Sequence, residues 1–350
     1  MNTASRRLLI LAEGKFSSLR SKTANGAIVY VRDQVAAVID STKVGMTAQQ
    51  VLGYGGDIPV VRNIEEGLLY RPTHLLIGIA PPGGRLPEDW RKTIKLALHS
   101  KLHILSGLHT ILTDDEEFVR AAQENGVTIT DYRSIPHESE VIPQATWTTR
   151  RAKVVLAVGT DCNIGKMTTM LQVHAELNRR GVKSDFVATG QTGMLIRGRG
   201  IAVDSIISDY AAGCIEKEID QSVNEGYEVI LVEGQGALTH QAYSGVTLGL
   251  IHGSMPDAFI LCHQPTRIKD DYGVTLPSLQ YTVALHETVM KHFKDSKVVG
   301  IGVNSIGLSD DESREASKQI EHETGLPAVD TFRFGGAKLA DALLKHFNHS

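Results

Sequence analysis

The chain has 350 residues, 42% hydrophobic and 22% charged, with a formal net charge of −4 at pH 7. That length favours two domains, each with its own core, and the composition excludes disordered, collagen-like and disulfide-scaffold classes. A slightly acidic chain without Lys/Arg runs interleaved with aromatics is not expected to bind nucleic acid.

Cys162, Cys214 and Cys262 form no C-x-x-C pair, so neither a disulfide framework nor a thiolate zinc site is expected, and a reducing cytoplasmic setting fits. No apolar run reaches the roughly 18 residues that span a bilayer. Arg6–Ala12 reads as a first strand because Glu13 ends its apolar run without a cleavage-like segment.

In chain order, short aliphatic or β-branched runs predict strands at Leu8–Leu11, Ala27–Val31, Ala36–Ile39, His74–Ala80, His103–Ser106 and Val127–Thr130. Helical spacing with acidic first turns predicts helices over Pro87–Ser100 and Asp114–Glu124. Such βα alternation implies a parallel sheet, here a Rossmann-like α/β domain over residues 1–135. Its glycine segments, Gly53–Gly56 and Ala80–Gly84, do not follow the first strand, so a G-x-G-x-x-G dinucleotide site is not expected. Two prolines and a Thr-rich polar composition make Arg133–Arg151 linker chemistry, and 136–151 is taken as the linker.

The alternation resumes over 152–350 as a second α/β domain. Strands are predicted at Val154–Val158, Asp185–Ala188, Glu228–Val232, Ala258–Cys262 and Val298–Val303, with helices at Thr168–Arg180 and Ala337–Phe347. Between the first strand and helix lies Gly159-Thr160-Asp161-Cys162-Asn163-Ile164-Gly165-Lys166. Glycines let successive N–H groups turn around phosphate oxygens, the helix presents its positive end, and Lys166 adds a charge on the same anion. This makes Gly159, Thr160, Asp161, Cys162, Asn163, Ile164, Gly165, Lys166, Met167, Thr168 and Thr169 the candidate cofactor-binding residues. Met167 stands where the Mg²⁺-binding hydroxyl of a G-x-x-x-x-G-K-[ST] loop belongs, so Thr168 or Thr169 has to replace it. The strand end at Val229-Ile230-Leu231-Val232-Glu233 offers Glu233 as a second metal ligand or a catalytic carboxylate.

Further candidates lie where strand ends place ligands. They are Gln191, Thr192 and the Asp204/Asp209 pair for substrate, Arg267 as a carboxylate clamp, and His252, His263 and Asp271 near the Ala258–Cys262 strand, with His252 a candidate base. Each also reads as ordinary turn, core or surface chemistry. Cys162 precedes a helix N-terminus, a setting that favours thiolate, but reads first as a small loop residue. No H-E-x-x-H pair occurs, so zinc is not supported.

Five residues between Gly159 and Gly165, the opening Gly-Thr-Asp and the later Glu233-Gly234-Gln235-Gly236 resemble the dethiobiotin synthetase group of P-loop proteins. That resemblance implies Asn304, after Val299–Val303, as an adenine reader. It does not imply the diamine substrate, because Ser184-Asp185-Phe186 occupies the region where those enzymes carry a Lys-Pro pair. The order G-T-D-x-x-x-G-K-M-T-T, G-Q-T-G, V-E-G-Q-G behind a Rossmann-like domain resembles, over essentially the whole chain, a two-domain bacterial family, some of whose members are D-glutamate N-acetyltransferase-like. That implies acetyl transfer from acetyl-CoA to a small-molecule amine, D-glutamate or a related D-amino acid, by a cytoplasmic enzyme expected to be a homo-oligomer. The alternatives are an ATP- and Mg²⁺-dependent carboxylate-activating ligase and a nucleotide-switch protein.

Overall fold

Strands buried on both faces need partners on both sides and helices above and below, and this requirement organises the chain. The computed structural model describes residues 6–79, 86–136 and 140–348. Two units result: Met1–Ile135 with Met194–Ser205, and Pro136–Gly193 with Ile206–Ser350.

The first unit holds β1 (Leu8–Leu11), β2 (Val35–Ile39), β3 (Val60–Val61), β4 (His74–Ile77), β5 (His103–Ser106) and β6 (Ile129–Asp131). They form one parallel sheet in the order β3-β2-β1-β4-β5-β6, the order of a Rossmann sheet. The Ala27–Val31 strand expectation is corrected, because Lys22–Tyr30 is a helix. Parallel pairing of β1 with β2 needs a crossover, and Ala24, Ala27 and Ile28 form the buried face of this one. The predicted helices appear as Glu88–His99 and Glu116–Asn125, the second capped by Asp115 accepting from Glu117 and Phe118 N–H. The glycine segment Ala80–Gly84, and Ala80 of the predicted fourth strand, lie outside the described residues. Leu195, fully buried, belongs to this unit's hydrophobic core. Arg133 pairs with Asp204 at 2.6 Å, so Asp204 serves an ion pair here.

The second unit holds β7 (Lys153–Gly159), β8 (Ser184–Val187), β9 (Val229–Val232), β10 (Ala258–His263), β11 (Lys297–Val303) and β12 (Ala328–Val329). They pair in parallel in the order β12-β11-β10-β7-β9-β8. β7 is buried from Val154 to Gly159 between β10 and β9. The chain leaves it towards β8 on one side and later crosses to β10 on the other, which opens the crevice beyond β7 where ligands of such sheets bind.

The described part of the predicted linker is packed, not loose. Gln144 and Thr146 N–H donate to Glu216 of the helix Ser208–Asn224, and Thr146 Oγ1 donates to Asp220 at 2.9 Å. A Cβ on Gly213 would overlap the Val141 carbonyl, so glycine lets this strand of chain lie against the helix. Together they line a cavity of about 840 Å³.

His286, fully buried on the helix Leu279–Met290, stacks edge-on against Phe259 of β10. Burial, opposed by its hydrogen bond to the Thr282 carbonyl, pushes its pKa from 6.5 down to about 4. The folded ring stays neutral where the unfolded chain binds a proton, so this contribution is complete above pH 6.5 and falls as the pH drops towards 4. At pH 5 the loss is about 2 kcal/mol. Denaturant titrations at pH 7 and pH 5 should show a loss in His286→Leu that is smaller by about that amount than the loss in the native protein. Equal losses in both would refute it.

Candidate active site around the phosphate loop

β7 delivers the chain to Gly159, and the helix Lys166–Arg179 begins at the lysine. Between them Asn163 and Gly165 take positive φ values of 53° and 100°, turning the backbone back on itself. Gly165 has no Cβ to oppose that conformation. Lys166, 6% exposed, donates from Nζ to the Asp161 carbonyl at 2.6 Å and so stands inside the loop it closes. Ile164 and Met167 are buried beneath it.

The hydroxyls beside the loop differ in orientation. Thr160 Oγ1 lies 3.1 Å from His263 Nδ1, whose pKa burial pushes down to about 4. Thr169 is buried against β11, where its Oγ1 lies 2.6 Å from the place a Cβ on Gly302 would take. It also bonds the Cys262 thiol, whose pKa burial pushes up to about 11. Thr169 therefore faces the sheet, and Thr168 is the half-buried hydroxyl left near the loop. Asn304 follows β11 and sits beside the loop, its Nδ2 3.9 Å from the Cβ position of Gly165. Its N–H donates to the His263 carbonyl, and its Oδ1 accepts from Ile306 N–H.

Glu233, 2% exposed, ends the segment after β9 and accepts at Oε2 from Thr189 N–H (2.9 Å) and Gly190 N–H (3.1 Å). Thr189 Oγ1 donates back to the Glu233 carbonyl at 2.8 Å. The two glycine motifs therefore abut: a Cβ on Gly193 would overlap Glu233 Oε2, and one on Gly190 would overlap Gln235 Nε2. Gln191 and buried Thr192 open the helix Gln191–Arg197 directly after this contact. Gly234 crosses β7 so closely that a Cβ would overlap the Ala157 carbonyl and reach within 2.9 Å of Lys166 Cδ.

On the other side of the loop lies a fully buried carboxylate, Asp161. Its Oδ1 accepts from Cys162 N–H (2.6 Å), and its Oδ2 accepts from Arg267 Nη1 (2.8 Å), which also donates to the Cys162 carbonyl (3.0 Å). His240, 2% exposed, points Nε2 at Asp161 Oδ1 from 3.9 Å. A ring nitrogen of His240, Cys162 Sγ and an Asp161 oxygen all lie within 4.8 Å of one another. Tyr243 stacks on the His240 ring at 4.7 Å and Tyr272 meets it edge-on at 5.4 Å, and both tyrosines reach solvent. Burial raises the Tyr243 pKa, helped by the nearby Tyr272, Cys162 and Asp271.

The structure thus gathers the loop, Glu233, Gln191, Thr192, Asn304 and Arg267 at the carboxyl ends of the strands. His252 does not join them. It lies near the C-terminus of the helix Ser244–Ser254, which leads into the start of β10, and packs against Phe293 just before β11 starts. That is the opposite edge of a parallel sheet, and burial lowers its pKa there. Asp209 is exposed in the first turn of Ser208–Asn224. Sequence reasoning missed His240, Tyr243 and Tyr272; the only signal was a His-x-x-Tyr following the Glu-Gly-Gln-Gly segment.

Comparison with known proteins finds a family model over each half of the chain. Residues 142–340 match the family model described as a domain of unknown function (DUF1611_C), P-loop domain, and residues 41–135 its DUF1611_N, Rossmann-like counterpart. A D-glutamate N-acetyltransferase of Tritonibacter scottomollicae is 43% identical over 286 residues, covering 80% of this chain and 84% of the relative. Another bearing that name, from Pseudoalteromonas, is 36% identical over 74% of this chain and 78% of its own length. The crystal structure of a DUF1611 family protein from Anabaena variabilis superposes with a TM-score of 0.93 at 35% identity, covering 97% of this chain and all of that one. With both halves matched in order and the whole fold shared, this chain belongs to the DUF1611 family.

Proposed function

We propose that the protein is an N-acetyltransferase that moves the acetyl group of acetyl-CoA onto the amine of D-glutamate or a related D-amino acid. The observation that carries this is the loop's chemistry. Met167 follows Lys166 where a metal-binding hydroxyl is usual, and Thr169 is turned onto the sheet. Thr168, one position past the usual place, is the hydroxyl that remains, so the loop grips a diphosphate without the conventional place for Mg²⁺, which suits the diphosphate of coenzyme A. The two relatives named D-glutamate N-acetyltransferase support the class of reaction and its acceptor.

In this reading Gly159–Lys166 and the helix N-terminus hold the diphosphate, and Asn304 beside Gly165 reads the adenine edge. Arg267, fixed at Nη1 by Asp161, turns its remaining N–H groups to the substrate carboxylate. Gln191 and Thr192 complete the acceptor side. Glu233 holds the loop at Thr189 and Gly190 in place.

Calorimetry with acetyl-CoA, ATP, GTP and ADP, each with and without Mg²⁺, tests the proposal on the native protein and Lys166→Ala. Acetyl-CoA should bind without Mg²⁺, and Lys166→Ala should weaken it about 100-fold, the loss of two to three kcal/mol that a charge-assisted contact carries. Mg²⁺-dependent ATP binding with no acetyl-CoA binding would instead select the ligase reading.

A further inference from the structure

Beyond β10 the chain leaves Arg267 and turns back on itself as a short hairpin. Lys269 and Thr275 pair antiparallel, and Leu276 N–H donates to the Ile268 carbonyl at 2.9 Å. Buried Asp270 fixes the tip by accepting at Oδ1 from Tyr272 N–H and Val274 N–H, both at 2.9 Å, and Gly273 takes the left-handed turn at a φ of 82°. The backbone is held by its own hydrogen bonds, yet large apolar side chains stand in water. Ile268 is 71% exposed, Tyr272 64% and Val274 53%. Single exposed apolar residues are ordinary, but three on one ordered hairpin form a patch of the kind that marks a binding surface.

That patch is tied to the phosphate loop. Arg267, at the root of the hairpin, grips Asp161 Oδ2 and the Cys162 carbonyl. Tyr272 meets the buried His240 ring edge-on, and partly exposed Tyr243 stacks on the same ring, so the two tyrosines extend the apolar surface towards the loop. Asn304 stands at the other end of the loop, beside Gly165. A diphosphate in the loop with its adenosine at Asn304 therefore turns its second substituent towards Arg267 and the hairpin.

We propose that the hairpin Ile268–Leu276, together with Tyr243, is the seat of the pantetheine arm of coenzyme A. The inference rests on the acetyltransferase reading, which supplies the ligand. The arm is an uncharged chain carrying paired methyl groups and amides. Its apolar part suits Ile268, Val274 and the tyrosine rings, and its amides suit the tyrosine hydroxyls. An arm folded on this wall holds its thioester near Arg267, where the acceptor carboxylate is placed, instead of trailing into solvent.

The test compares, by calorimetry on the full chain, coenzyme A with 3′-phospho-ADP, the same molecule without the arm, in the native protein, Ile268→Ser and Tyr272→Ala. Both side chains are largely exposed, so both variants should keep native melting. The native protein should bind coenzyme A about 10-fold or more tighter than the truncated nucleotide. Each substitution should weaken coenzyme A about 10-fold and raise KM for acetyl-CoA by the same factor, with the truncated nucleotide bound as before. Equal binding of the two ligands by the native protein, or equal weakening of both in the variants, would overturn the seat, while acetyl transfer to D-glutamate in the same preparation would leave the acetyltransferase reading intact. Unchanged affinities in variants that sediment as a smaller oligomer would also overturn it, making the patch an interface between copies of the chain. Failure of the native protein to bind either ligand would sink both readings.

Discussion

Gly234→Ala is expected to destabilise the P-loop unit by about 3 kcal/mol and to impair ligand binding in whatever remains folded. The new Cβ would overlap the Ala157 carbonyl on the central strand β7 and come within 2.9 Å of Lys166 Cδ. Neither neighbour yields cheaply, since Ala157 belongs to the pairing of β7 with β10. The strain would push β9 away from β7 or push the lysine out of the loop, so stability and binding should fall together. Gly245→Ala supplies the control. It lies in the helix Ser244–Ser254, and its Cβ would meet nothing within 4 Å. Alanine there should stabilise by about 0.5–1 kcal/mol through helix propensity and a less flexible unfolded chain. Denaturant midpoints of opposite sign are the expected result. Equal and small effects at both positions would show that β7 and β9 tolerate separation.

Glu233→Ala should cost about 3 kcal/mol, because it strands two buried N–H donors, on Thr189 and Gly190, each worth about 1–3 kcal/mol when unsatisfied. Glu233→Gln keeps an oxygen in the same place and should recover most of that stability. The pair also separates two roles for one side chain. If Glu233→Gln is both stable and active, the carboxylate acts by holding the Thr189–Gly193 turn. If it is stable but inactive, with acetyl-CoA still bound, the negative charge itself takes part in the reaction.

Much of the fold was legible where burial and periodicity coincide. His103–Ser106 and the strand–loop–helix of Lys153–Arg179 are apolar on both faces or amphipathic in the expected register, and the structure places them there. Ala27–Val31 misled because five apolar residues in a row carry no period; the crossover between β1 and β2 decided that Ala27–Tyr30 is helical. Ser244–Ser254 gave no helical signal because it holds three glycines and the β-branched Val246, Thr247 and Ile251, yet packing carries it. The loop residues of the site lie consecutively and were readable. His240 was not, because its partners Asp161 and Cys162 are nearly eighty positions away in the chain and meet it only when β7 and β9 pair.

The interleaving of the two units in sequence governs how the protein is made. Leu195 completes the core of the first unit, and Arg133 finds its counter-ion only at Asp204. A chain emerging from the ribosome therefore has the six strands of its first sheet long before it has the segment that finishes their packing. By the time Met194–Ser205 arrives, β7, the phosphate loop and β8 of the second unit have already been synthesised. The first unit therefore completes its packing only after part of the second has been made, and a gene fragment ending at residue 135 would encode a sheet without Leu195 and without the counter-ion of Arg133.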